Sequence, residues 1–228
     1  MKLKGLSYIL IGVLLSIIIL LTAVDLVTFN VNHYLKSFEK HQIPNVTGRT
    51  VEELRFIIED LLEYLKDQRK LLDTTEIIEG EERQIFGERA VLHMIDVKAL
   101  FVGGALLRNF SIPLLLIILI YNIWKDSKWK KNLAKTLYYT ATVNILLLFT
   151  LLLLMNIDFN KYFTYFHYIF FDNDLWILDP KTEILIQMLP EKFFFETATK
   201  IITVYMLSII TFGIFGFLYN RKNKGLGI

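Results

Sequence analysis

The chain has 228 residues, of which 54% are hydrophobic and none is cysteine, and its 25 Lys and Arg against 23 Asp and Glu leave a net charge of +2. That is too apolar for an ordinary soluble domain and too short for a large transporter, which leaves a small membrane protein. Without cysteine there is no thiol nucleophile, thiolate metal site, disulfide or lipoprotein box, and the redox compartment goes unread.

Lys2 and Lys4 precede an apolar run over residues 6–29, interrupted late by Asp25. Roughly 20 helical residues cross a hydrocarbon core, so this run is a first transmembrane helix. It is longer than the apolar core of a signal peptide, and a retained signal anchor is expected. Residues 30–99 are polar and read as a mainly helical extracellular cap. Pro44, Asn45 and Gly48 make a turn there, and Thr50-Val51-Glu52-Glu53 has the spacing of a capping box. Behind it Leu54, Ile57, Ile58, Leu61, Leu62 and Leu65 recur at three and four residues, which predicts an amphipathic helix. Gly80 and Gly87 bracket a loop or hairpin.

From Glu88 the pattern is helical again and runs into a second apolar span, 104–124. In a continuous helix Arg89, His93 and Asp96 share a face, so the acid stands one turn from the imidazole and is expected to orient it and raise its pKa. Arg108 is expected to extend towards lipid head groups, and Ser111 with Pro113 to bend the helix. A basic connection over 125–135 leads to a third span, 136–155.

Residues 156–200 follow as an extracellular aromatic loop. Its stretch from Phe159 to Pro180 holds nine aromatic side chains around His167, Asp172, Asp174 and Asp179. Tyr and Trp favour the boundary between membrane and water, so the rings by themselves amount to an aromatic girdle. A fourth span, 201–219, ends in a basic tail, 220–228. Lys2, Lys4, the five lysines of the middle connection, Arg221, Lys222 and Lys224 then share one side. By the positive-inside rule both termini are cytoplasmic and the cap and aromatic loop are outside. The expected fold is thus an all-α membrane protein of four transmembrane helices with a mainly helical extracellular cap, multi-pass in the cell membrane.

Two histidines near an outer membrane surface suit proton transfer at neutral pH, and each is also readable as an amphipathic interfacial residue. His33 and His41 lack acids at helical spacing and read as structural or solvated. Ligand count would allow a metal at His93, Asp96 and His167, but no HExxH-like spacing supports it, and neither metal nor cofactor is expected. No serine elbow, phosphate-binding glycine loop or nucleic-acid patch is present.

The run Glu88-Arg89-Ala90-Val91-Leu92-His93-Met94-Ile95-Asp96-Val97, the FHYIFF around His167, the DNDLWILDP after it and Met188-Leu189-Pro190-Glu191 resemble the lipoprotein intramolecular transacylases of Gram-positive bacteria. So does the layout of four spans with an external cap. The resemblance implies that the sn-2 acyl chain of an S-diacylglyceryl cysteine moves to the α-amine of that N-terminal cysteine, giving a lyso-form lipoprotein. It also implies paired-histidine catalysis by His93 and His167, with base and proton donor unassigned. Asp96 would orient His93, Trp176 and Tyr168 would shape the pocket, and Glu88 and Asp174 are further candidates, equally readable as ion-pairing groups of the cap. The partners implied are a diacylated lipoprotein and membrane lipid, with the site at the outer face; the sequence leaves the oligomeric state open, with a monomer favoured. Burial among rings is expected to lower the pKa of His167, and two histidines in opposite states would give a bell-shaped pH profile. The competing class is a non-enzymatic membrane sensor or assembly partner whose cap binds another protein.

Overall fold

The structure, a computed structural model, describes residues 2–78 and 81–225; Gly80 and the end of the tail, 226–228, lie outside them. In chain order the elements are α1 (Lys2–Thr28), α2 (Val31–Lys40), α3 (Ile43–Thr47), α4 (Val51–Leu65), β1 (Thr75–Ile78), β2 (Glu81–Gln84), α5 (Glu88–Lys125), α6 (Trp129–Ile157), α7 (Phe159–Phe170), α8 (Ile184–Met188) and α9 (Glu191–Gly225). The antiparallel β1–β2 hairpin is the only sheet among the described residues. Helices α1, α5, α6 and α9 are each long and apolar enough to cross a membrane, so this is an all-α, four-span membrane fold. The chain divides into two compact units.

The first unit contains α1 up to Asp25, α5 from Ala105, α6, and α9 from Thr199. Lipid gives apolar side chains no reason to leave it, so such helices associate through close packing and polar links. Both are present. A Cβ on Gly216 would stand 2.4 Å from the Ala134 carbonyl oxygen, and one on Gly213 would stand 2.5 Å from the Ala141 Cβ, so α9 meets α6 at a separation only glycine permits. Asn144 donates to Ser16 Oγ at 2.9 Å and accepts from the Tyr205 hydroxyl at 2.6 Å, joining α6 to α1 and α9. In the turn after α5, buried Asp126 accepts from the Tyr8 hydroxyl at 2.9 Å and from Asn132 Nδ2 at 2.7 Å.

Arg108 does not reach for head groups as the sequence suggested. Its guanidinium donates to Asp25 of α1, and both side chains are largely covered. Pairing answers the cost of an intramembrane charge better than extension does when a carboxylate lies within reach.

The second unit contains Leu26–Gly104 and Asp158–Ala198. Its core forms around α4, where Leu54, Ile57, Ile58, Leu61, Leu62 and Leu65 are all buried, on the face that their spacing defines. At about 1.5–3 kcal/mol for each fully buried side chain, this stripe is the main source of cohesion in the unit. The start of α4 is fixed by the capping box, with Thr50 Oγ1 accepting from Glu53 N at 3.2 Å and Glu53 Oε2 accepting from Thr50 N at 2.7 Å. Against α4 pack Tyr34, Phe38, Phe86, Ala90, Met188 and Phe193, which come from α2, the approach to α5, α5 itself, α8 and α9. The apolar span of α5 begins near Gly104, where the second unit ends, so Glu88 to Gly104 is the part of that helix that belongs to the cap.

Candidate active site

Gly87 opens α5, its carbonyl oxygen accepting from Val91 N at 3.0 Å, and the second turn brings Ala90 and Met94 into the core. His93, between them, is drawn inward with them and is 8% exposed. The aromatic stretch that reads as a loop is instead the helix α7. Asp158 caps it by accepting from Lys161 N at 3.0 Å, and His167 is its buried residue. Its neighbours Tyr165, Phe166, Tyr168, Ile169 and Phe170 are all exposed, so the helix offers an apolar, aromatic outer surface and turns a single imidazole inward.

The two imidazoles meet. Their ring centroids are 6.1 Å apart with planes inclined by 34°. Phe171 packs edge-to-face with His93 at 5.1 Å, Phe163 edge-to-face with His167 at 4.5 Å, and Trp176 is stacked on His167 at 4.5 Å and 28°. His167 thus has one stacked indole and one perpendicular phenyl ring against it, the two geometries that aromatic quadrupoles favour.

The ring nitrogens are unequal. His167 Nδ1 is 2.7 Å from the Phe163 carbonyl oxygen, which can only accept, so Nδ1 carries a proton and the neutral ring has its lone pair on Nε2. His93 Nδ1 is enclosed without a hydrogen-bond partner. Leaving a donor enclosed and unpaired costs a full desolvation penalty, which favours the tautomer with the proton on Nε2. Neither Nε2 is hydrogen-bonded or fully enclosed. The pair therefore offers a lone pair on one ring and an N–H on the other.

Both rings are neutral at physiological pH. Burial, and then the neighbouring His167, push the pKa of His93 down to about 4, against a smaller opposing pull from Asp96. Burial also lowers His167, opposed by its hydrogen bond to Phe163. The expected rise at His93 is overturned because desolvation outweighs one carboxylate that does not touch the ring.

The remaining candidates are placed as follows. Asp96 does not hydrogen-bond to His93; its Oδ2 accepts from Asn173 Nδ2 at 2.8 Å. Tyr168 is 65% exposed and reaches the site through Trp176, to which it packs edge-on at 5.6 Å. Asp174 is paired with Arg89 at 3.1 Å in an exposed contact of the kind worth little. Glu88 is exposed in the first turn of α5, facing the positive end of the helix dipole, with no hydrogen bond to either histidine. Among the described residues no three His, Asp or Glu side chains converge as a metal-binding group.

Two organising residues escaped the sequence reading. Arg89 Nε donates to the Ile177 carbonyl at 3.0 Å and its guanidinium also donates to the Asp174 carbonyl, so Arg89 fastens the turn that carries Trp176. Asn173 Oδ1 accepts from Leu175 N at 3.0 Å, the side-chain-to-backbone turn that Asn is prone to make. The signals were present in the shared face of Arg89, His93 and Asp96 and in the Asp172-Asn173-Asp174 run.

A family model described as lipoprotein intramolecular transacylase Lit matches residues 9–194. Among solved structures, the in meso structure of the membrane-integral lipoprotein intramolecular transacylase Lit from Bacillus cereus is 24% identical, with 99% of each chain covered and a TM-score of 0.81. A structure of the same Bacillus cereus protein with a histidine-to-arginine substitution is 23% identical, with a TM-score of 0.77 over 100% of this chain and 96% of that one. Another, with a histidine-to-alanine substitution, is also 23% identical, with a TM-score of 0.73 over 98% and 96%. At these identities the likeness is one of fold. No curated protein matches the chain.

Proposed function

Because this chain belongs to the lipoprotein intramolecular transacylase family, and so is an integral membrane acyltransferase, we propose that it moves the sn-2 acyl chain of an S-diacylglyceryl cysteine onto the α-amine of that cysteine, with His167 and His93 as its catalytic residues. The observation that carries this reading is the pair of imidazoles 6.1 Å apart between ring centres, whose surroundings favour opposite tautomers.

The steps follow from that geometry. His167 Nε2 takes a proton from the amine as its nitrogen attacks the ester carbonyl carbon. The oxyanion that forms accepts a hydrogen bond from His93 Nε2–H, and a neutral imidazole serves as that donor. The bond to the glyceryl oxygen then breaks, and the proton held on His167 passes to that oxygen, so the enzyme ends as it began. Amine and ester belong to one molecule, and their reaction closes a medium ring that free chains close poorly. Holding them together contributes up to roughly 7–11 kcal/mol when orientation is good. The enclosing rings supply that confinement, and no cofactor enters the scheme. The exposed aromatic side chains of α7 suit a site that meets its acyl chains in lipid.

The decisive experiment gives purified protein a diacylated lipopeptide. The shift conserves mass, so fragmentation must locate the acyl group. Acyl on nitrogen is expected; unchanged lipopeptide would favour a sensor or assembly protein instead.

The same reading puts both termini in the cytoplasm and the histidines outside, supported by the lysines of the connection between α5 and α6. In intact cells an impermeant thiol reagent should label Glu63→Cys and spare Lys130→Cys. The converse labelling would invert the topology.

A further inference from the structure

Asp96 is the nearest acid to His93 along α5, yet its hydrogen bond goes to Asn173. Asn173 has three bonds, and each builds the same turn. Its Nδ2 donates to Asp96, its Oδ1 accepts from Leu175 N, and its carbonyl oxygen accepts from the indole Nε1 of Trp176 at 3.0 Å. The indole so held is the one lying flat on His167 at 4.5 Å. We propose that Asn173 is a positioning residue for the acyl transfer, anchored on Asp96 of α5 and fixing Trp176 against the His167 imidazole so that its Nε2 keeps one direction.

The chemistry requires such a hold. His167 has one hydrogen bond of its own, from Nδ1 to Phe163, and a ring hinged on a single bond can still swing about it. A flat partner removes that freedom, and a misplacement of about 1 Å in a proton-transfer group can cost around 100-fold in rate. Arg89 braces the far side of the turn through the Asp174 and Ile177 carbonyls, so the turn is tied to α5 at two points seven residues apart, or two helical turns. In this arrangement Asp96 acts as a hydrogen-bond acceptor. Its charge towards His93 is secondary, because that ring is neutral in either case.

The inference rests on His167 as the base, and its test has one arm that needs no turnover. The chain has three tryptophans; with Trp124→Phe and Trp129→Phe, Trp176 is the sole indole. An imidazolium stacked on an indole quenches its fluorescence by accepting an electron, whereas a neutral imidazole does not. In detergent, emission should fall as pH drops below about 6.5, the ordinary histidine value, and the change should vanish in His167→Asn. The charged groups around His167 in this titration are His93, Asp96 beyond Asn173, and the Arg89–Asp174 pair. Asn173→Ala should lose at least half of the amplitude and slow acyl transfer roughly 10- to 100-fold. If that variant folds poorly, Asp96→Ala breaks the same chain from the other end and should act alike. Asp96→Asn, which still accepts from Asn173, should recover both the quenching and most of the rate that Asp96→Ala loses. Full quenching and wild-type rate in Asn173→Ala, or equal loss in Asp96→Asn and Asp96→Ala, would overturn the proposal. Quenching that responds as described in a protein that leaves lipopeptide unchanged would refute the reaction and leave the positioning intact.

Discussion

His167→Ala is expected to reduce formation of N-acylated lipopeptide by about 10²–10⁴-fold, the range for removal of a general base. The loss is large because in the proposed scheme His167 acts twice, taking the proton from the amine and returning it to the glyceryl oxygen. His93→Ala should cost about 10²–10³-fold, as removal of an oxyanion donor does. The glutamine variants separate the roles. A neutral amide N–H can replace the His93 donor in part, so His93→Gln should exceed His93→Ala, whereas an amide accepts no proton and His167→Gln should match His167→Ala. Initial rates read by fragmentation of the product decide this, with far-ultraviolet circular dichroism to establish that each variant is folded. The opposite pattern, with recovery at position 167 and none at 93, would exchange the roles.

The second large effect is the shape of the pH profile. A pair working as base and charged acid would give a bell. With His93 held down to about 4 and His167 also depressed, neither ring is a cation near neutrality, and no descending limb arises from loss of an imidazolium. The rate should climb as His167 sheds its proton below about pH 6.5 and as the substrate α-amine, with an ordinary pKa of about 7.7–8.0, becomes nucleophilic. It should then stay level to about pH 9. Lipopeptides of altered amine basicity assign the upper step, since only that step moves with them. A fall in rate above pH 7 that follows neither amine nor unfolding would show that a charged histidine is required.

What the sequence disclosed and what it concealed divide along physical lines. The six apolar positions of α4 and the Thr50–Glu53 box were legible because both are local, set by spacings of three and four residues. The four membrane helices were legible for the same reason, since length and apolarity suffice. α7 does carry a helical signal, Phe159, Phe163, Phe166 and Phe170 recurring at four, three and four residues, but the density of further rings around it obscured that stripe. Asp96 was assigned to the imidazole one turn before it, yet its partner Asn173 lies 77 positions further on. The pKa of His93 was misjudged through the same preference for near neighbours, because burial is a property of the whole unit. The pairing of His93 with His167 was anticipated from the shared outer side of the cap and the aromatic loop and from the family resemblance, and their separation came from the structure alone.

The second unit offers little serine or cysteine to an electrophile. Its single serine, Ser37, is enclosed within α2, and cysteine is absent from the chain. Fluorophosphonates and β-lactones report on enzymes by trapping a nucleophilic hydroxyl or thiol, and in the proposed reaction the acyl group passes directly from oxygen to nitrogen within the substrate. Activity-based profiling with such warheads would therefore pass over this protein even when it is abundant and working. A useful inhibitor would be a stable cyclic mimic of the tetrahedral ring, built to accept from one imidazole and donate to the other.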